Sequence, residues 1–410
     1  MPELASPRVR SRGGVVLLLA AIVVVALNQR PAVVGVAPVL SDLRADTGLS
    51  SAMAGLLTTL PVLCFGAFAP VAPRLARRFG LETAVAASLV LLAAGIALRL
   101  ISPVALLYAG SLVAGAAIAV ANVLMPAYVK REFTRPGAVM GVYSAALNIG
   151  AAAAAALTVP IGLALDADWR VALGSWLVMA LAALLLWVPV AGVRGTRSAP
   201  ESAASWSLLR RPLAGQVTAF LGLQSVQFYS ISAWLPTLLA DAGVPVSRGG
   251  LLLAVCNLVG AGGALVAPAA AGRMRTQRPL VAAVLSAYAV GLAGLLTAPG
   301  SATLLWVAVF GLAQGSGFAL ALTLVVLRSA TPLVAARLGG VAQCVGYLVA
   351  AAGPVVLGAL HDATGGWEWP LGLLLALLVP MALVGWGAAR DAVLDPDRVR
   401  DDVAAATPPV

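Results

Sequence analysis

Apolar runs of about 20 residues recur along this chain from one end to the other, and a run of that length crosses a bilayer as a helix. Nothing else in the sequence restricts the fold as much. Composition agrees, with 61% hydrophobic and 10% charged residues, where a soluble domain is below half apolar and about a quarter charged. The usual inference of two or three soluble domains from 410 residues therefore does not apply. Reading the apolar runs between charged breaks gives an all-α membrane protein of twelve transmembrane helices, at 15–40, 51–73, 83–101, 104–129, 138–165, 169–190, 213–239, 249–271, 279–297, 303–327, 336–360 and 369–388. The longest internal polar stretch, 191–212, is rich in Ser, Ala, Pro and Arg and lies near the centre of the chain. It reads as a linker between an N-terminal half, 1–190, and a C-terminal half, 213–388. Residues 389–410 read as a disordered tail.

The net charge of +10 does not call for a nucleic-acid partner, because Lys and Arg gather on the cytoplasmic loops of membrane proteins. Counting loops alternately, 21 basic residues fall on one side and four, Arg44, Arg99, Arg170 and Arg248, on the other. Both termini and the linker are thus expected in the cytoplasm of a multi-pass membrane protein. Arg8, Arg10 and Arg12 precede a run too long for a signal peptide, so it is read as the first helix. Cys64, Cys256 and Cys344 lie inside apolar runs with no metal or disulfide spacing and read as small core residues. One basic residue belongs to neither side. It is Arg30, in the stretch VVVALNQRPAVV.

The two halves resemble each other. GLLTTLPVLCFGAFAPVAPRLARR from Gly55 lies over GLLLAVCNLVGAGGALVAPAAAGR from Gly250 with ten of 24 positions identical at an offset of 195. ADTG at Ala45 lies over ADAG at Ala240 at the same offset, and MGVYSAALNIGAAA in the fifth helix lies over GGVAQCVGYLVAAA in the eleventh at 199. Parallel six-helix repeats related by a pseudo-two-fold axis imply the major facilitator fold rather than an inverted five-helix repeat.

Every one of the 16 acidic residues falls in a loop, a terminus or a helix edge. No His, Cys, Asp or Glu cluster could hold a metal within the membrane, and no cofactor is implied. Arg30 lies 18 residues after Arg12 and 12 before Asp42, near the bilayer midplane, where an arginine costs roughly 2.5–3.5 kcal/mol. No carboxylate lies at that depth to pair with it, so amide oxygens, water, freed backbone carbonyls at Pro31 or an anionic solute must face it. The mid-helix amides Asn28, Asn122, Asn148, Gln224, Gln227, Asn257, Gln314 and Gln343 fall on helices that surround the cavity in that fold, and helices 3, 6, 9 and 12 carry none. The candidate solute-binding set is Arg30 with Asn28, Asn148, Gln224, Gln227, Tyr229, Asn257, Gln314, Gln343 and Tyr347. Arg99, at the end of the third helix, reads as a side chain that snorkels to the headgroups, with the outer vestibule as the alternative.

ALNQRPAVVGVAPVL, TTLPVLCFGAFAPVAPRLARRFG, WLPTLLADAG and AQCVGYLVAAAGPVVLGALHDATGGW together resemble the cyanate porter family of the major facilitator superfamily over essentially the whole chain. The loop PRLARRFG departs from that superfamily's usual pattern, with Arg77 where an Asp is expected. The resemblance implies secondary transport, by alternating access, of a small polar or anionic solute such as cyanate or a small heterocycle, by a monomer in the lipid bilayer, with proton coupling left open. Efflux of a drug-like compound is the alternative within transport, and a membrane-embedded enzyme is the alternative outside it. The charge asymmetry generates a direct test. A single cysteine placed at Arg197 should react with a membrane-impermeant maleimide only after the membrane is permeabilised, and labelling of intact cells would reverse the orientation.

Overall fold

The structure, a computed structural model, describes residues 12–133, 136–191, 206–300, 302–330 and 332–394. Among the described residues, twelve helices are long enough to cross a bilayer: α1 (Gly14–Thr47), α2 (Ser51–Phe68), α3 (Leu81–Leu98), α4 (Val104–Pro126), α5 (Val142–Ala164), α6 (Trp169–Val190), α7 (Pro212–Asp241), α8 (Arg248–Ala271), α9 (Arg278–Thr297), α10 (Thr303–Leu327), α11 (Arg337–Thr364) and α12 (Glu368–Ala388). Eleven of them are strongly apolar along their length. The remaining one, α7, buries Gln224, Ser225, Gln227, Ser230 and Ser232, and a helix with that much polar surface is stable in a membrane only among other helices. Most of the linker (192–205) and of the tail (395–410) lies outside the described residues, as do Arg8, Arg10, Arg135, Arg194, Arg197, Arg398 and Arg400.

The first helix differs most from the sequence expectation. It runs on to Thr47 and is not continuous: the chain turns at Gln29–Arg30, resumes as Pro31–Val34, passes through a 3₁₀ turn at Ala37–Val39 and ends as Leu40–Thr47. Pro31 and Pro38 supply the reason, since each removes a backbone donor and crowds the preceding turn. Gly48, at φ +69°, ends the element in the left-handed conformation that glycine adopts without strain. α2 ends at Phe68, earlier than expected, and a separate short helix, Ala72–Phe79, carries Arg74, Arg77 and Arg78 at the basic end of the bundle.

The two halves meet mainly through two helix pairs, α2 with α11 and α5 with α8. Small residues allow the approach: a methyl group on Gly55 would stand 2.6 Å from the Pro354 carbonyl oxygen. Thr59 Oγ1 donates to the Ala351 carbonyl at 2.8 Å across the same pair. At the end away from the basic residues, an Asp362 carboxylate oxygen accepts from the Ala52 backbone N–H at 3.0 Å, so a residue of one half caps a helix of the other.

At the basic end each half carries its own tie. In the first, Arg131 donates to Glu82, and Trp187 Nε1 donates to the Glu82 carbonyl at 3.0 Å. In the second, Arg328 donates to the Gln277 side-chain oxygen and, from Nε, to the Ala388 carbonyl at 2.9 Å. Glu82 and Gln277 are 195 positions apart, the offset already seen in sequence. Glu82, two residues after Gly80, thus supplies an acid beside the loop whose expected Asp is replaced by Arg77. Residues 389–394, read from sequence as the start of a disordered tail, are packed: the Leu394 N–H donates to the Arg328 carbonyl at 2.8 Å.

Candidate functional site

The break in α1 places Arg30 where the halves meet. Its carbonyl starts the next turn by accepting from the Val33 and Val34 N–H groups at 3.0 and 2.9 Å. Its side chain leaves the broken helix and crosses to α7. There Nη1 donates to the Tyr229 hydroxyl at 3.1 Å, and the guanidinium carbon stands 5.2 Å from the centre of the Phe228 ring. A guanidinium over an aromatic face is attracted by the ring's quadrupole, more so where water is scarce.

The rings form one cluster drawn from both halves. Tyr229 packs against Phe228 at 4.8 Å, Phe65 of α2 at 6.3 Å and Tyr347 of α11 at 6.2 Å between centroids, and Phe65 and Tyr347 are 5.6 Å apart. On the first half's side, the Tyr143 hydroxyl donates to the Gln29 side-chain oxygen at 3.0 Å. No ion pair joins Arg30 to a carboxylate among the described residues. The Gln29 amide nitrogen is buried and has no hydrogen-bond partner. A cavity of about 10 Å³ lies beside Tyr229, bounded by Val33, Val34, Thr58, Ser232 and Ala233, room for roughly one water. Farther from the basic end, a vestibule of about 430 Å³ opens between the ends of α1 and α7, lined by Arg44 and Asp241 among others.

The residues singled out from sequence separate into three groups, with Gln343 apart from them. Arg30, Tyr229 and Tyr347 come together as described. Gln224 and Gln314 are fully buried, each with a side-chain oxygen that lacks a partner, and Gln224 donates to Ser225 Oγ at 2.7 Å. Four amides spend their nitrogen on the scaffold. Asn28 donates to the carbonyls of Val24 and Met179, joining α1 to α6, and Gln227 donates to the Leu374 carbonyl of α12. Asn148 and Asn257 donate to carbonyls one turn back on their own helices, Ser144 and Leu253. Gln343 is half-buried on α11, one turn before Tyr347.

Four members of the cluster escaped sequence reading: Gln29, Phe65, Tyr143 and Phe228. Aromatic side chains inside apolar helices carry no signal that separates a cage from ordinary packing. Gln29, an amide beside Arg30, did carry one. Arg99 is a correction. It does not snorkel to the headgroups: it is 3% exposed, and its Nη1 donates inward to the Ala32 carbonyl at 2.6 Å. The glycine at 110 leaves room for its stem, since a methyl group there would stand 2.9 Å from Arg99 Cγ.

A sequence profile of the Major Facilitator Superfamily matches residues 17–354. The chain belongs to that superfamily. It is 38% identical to the 2-nitroimidazole transporter of Escherichia coli over 92% of this chain and 96% of that one, and 33% identical to the cyanate transport protein CynX of the same organism over 86% and 92%. Among solved structures, a bacterial homologue of the human lysosomal transporter Spinster, inward-facing and occupied, superposes with a TM-score of 0.76 at 14% identity, covering 94% of this chain and 100% of that one. The Major Facilitator fold is thereby established, and the chain is a secondary transporter rather than an enzyme.

The Arg30–Tyr229 contact yields a test that needs no solute. Tyr229→Phe removes the acceptor that faces a buried charge, and a hydrogen bond to a charged group contributes about 1.5–3 kcal/mol. The variant should melt measurably below wild type in detergent. An unchanged melting curve would show that the hydroxyl does not hold the guanidinium.

Proposed function

We propose that this protein carries a small, flat, acceptor-rich solute, anionic or a polar heterocycle, across a bacterial inner membrane. On this reading the solute binds at Arg30 between the rings of Phe65, Phe228, Tyr229 and Tyr347, and the two halves rock about it so that the site faces each side in turn. The observation that carries the proposal is a guanidinium in the membrane interior whose partner is a neutral hydroxyl of the other half. A planar fork offers two parallel N–H donors to an anion or a nitro-like group, and ring faces around it favour a flat solute over a bulky polar one. The names of the E. coli relatives, cyanate and 2-nitroimidazole, fall within that chemistry.

The space beside Tyr229 is about 10 Å³, room for one water and for no solute, so on this reading the halves open around Arg30 before the solute enters. The charge asymmetry supports cytoplasmic termini and a cytoplasmic 191–212 segment. Action as a monomer is part of the same proposal. Proton coupling, on this reading, runs through the solute's own proton. The ionisable groups nearest to that task stand elsewhere: Glu82 is held by Arg131 at the basic end, and His361 stands 3.5 Å from Asp241 at the other. Transport driven by a pH gradient should therefore survive both Glu82→Gln and His361→Gln. Loss of the gradient response with solute exchange intact, in either variant, would assign the proton to that residue.

The binding test uses purified protein with 2-nitroimidazole and cyanate as probes and D-xylose as a neutral control. Arg30→Ala should insert and melt cooperatively, because removing a midplane charge lowers the insertion cost, and should lose binding and transport. Arg30→Lys keeps the charge but not the fork, and should weaken binding by about 1–3 kcal/mol, the scale of a charge-assisted hydrogen bond. Normal binding and transport by Arg30→Ala would make Arg30 structural and end this reading.

A further inference from the structure

Arg99 is a second buried guanidinium that the transport cycle described above does not use. It lies at the end of α3, and only one of its three nitrogens finds a partner: Nη1 on the Ala32 carbonyl, with Nε and Nη2 buried and unpartnered. No ion pair joins it to an acidic side chain among the described residues. An unpaired buried charge is costly, so its placement must be fixed by something more specific than packing. Two features fix it. Gly110 of α4 leaves space for the stem. The break in α1 supplies the acceptor, because Ala32 sits in the short turn Pro31–Val34 between two interruptions of the helix.

That turn is the one Arg30 caps. Arg30 is its first flanking residue, and its backbone carbonyl accepts from Val33 and Val34. Ala32, two residues on, is the point at which α3 grips the same turn. A turn broken on both sides has little helical hydrogen bonding of its own to set its orientation, and the direction in which Arg30 leaves it follows that orientation. We propose that Arg99 is a positioning residue: by holding the Ala32 carbonyl it sets the turn that aims the Arg30 guanidinium at Tyr229 and at the solute. The inference rests on the reading of Arg30 as the solute's anchor, but its first consequence, the aim at Tyr229, is measurable without any solute.

The experiment measures the loss of melting temperature caused by Tyr229→Phe in three backgrounds: wild type, Arg30→Gln and Arg99→Met. In wild type the loss is expected in full. In Arg30→Gln it should vanish, since the charge that needs the hydroxyl is gone. In Arg99→Met it should fall to less than half, because Arg30 is present but no longer held on Tyr229. A residue that merely packs α3 against α4 would lower every melting temperature and leave the Tyr229→Phe increment intact. A full increment in Arg99→Met, or none in wild type, overturns the proposal. If Arg99→Met does not fold, Arg99→Lys carries the same test, because its ammonium stops short of the position of Nη1 and lacks the fork; there too a full increment overturns it. A second arm measures the Kd for 2-nitroimidazole, which should rise about tenfold in Arg99→Met, the scale of coupling between residues that act as a unit. An unchanged Kd overturns the proposal when Arg30→Ala has lost binding. If Arg30→Ala binds normally, it is the anchor reading that fails, and the melting increments still decide whether Arg99 aims Arg30.

Discussion

A permanent positive charge held inside the membrane, with no carboxylate among the described residues to neutralise it, is the constraint on which the rest of this structure depends. Arginine does not deprotonate to escape burial, and at the midplane it costs roughly 2.5–3.5 kcal/mol to insert. The chain meets that cost with neutral partners. The Tyr229 hydroxyl accepts one of its hydrogens, and the Phe228 ring presents a face to it. Both partners belong to the other half of the molecule. The charge that most needs company is therefore satisfied only when the two halves are close, and a solute that brings its own acceptor relieves the same need. On the proposed reading, a binding event at Arg30 is thereby linked to how the halves meet.

The helix break around Arg30 follows from the same demand. A continuous α1 would direct residue 30 as the helical repeat dictates. Pro31 and Pro38 interrupt it and leave a short turn that outside contacts must orient. α3 supplies one such contact through Arg99 and the Ala32 carbonyl. α5 supplies another, where Tyr143 holds the neighbouring Gln29. Elsewhere the bundle uses close backbone approach. A side chain on Gly315 would overlap the Gly260 carbonyl, and one on Gly150 would overlap that of Leu27. Membrane helices pack through small residues in this way because lipid offers them no hydrophobic drive to associate.

What could be read from the sequence divides along physical lines. Helix number, order and the repeat were legible because hydropathy and length leave a polytopic chain few choices. Arg30 was legible because a charge in an apolar run stands out. The amides were a weaker guide. An amide in a membrane helix satisfies itself on the nearest free carbonyl, so Asn148 and Asn257 turned back on their own helices, and Asn28 and Gln227 bound outward to α6 and α12. Their placement on cavity helices did not fix the direction in which they point. Phe65 and Phe228 were invisible because an apolar ring inside an apolar run has no contrast, and Tyr143 was passed over because its partner, Gln29, lies on a distant helix. Arg99 was misjudged because its position at a helix end suggested the headgroups, whereas a glycine on the next helix and a freed carbonyl on α1 draw it inward. Neither of those is visible before the helices are packed.

The central claim is that Arg30 receives the solute, and the most direct measurement is an experimental structure of the protein saturated with 2-nitroimidazole or cyanate. The account predicts the solute between the rings of Phe65, Phe228, Tyr229 and Tyr347, with its acceptor atoms within hydrogen-bond distance of the Arg30 guanidinium. A solute bound elsewhere, with the Arg30–Tyr229 contact intact and nothing else against the guanidinium, would contradict it.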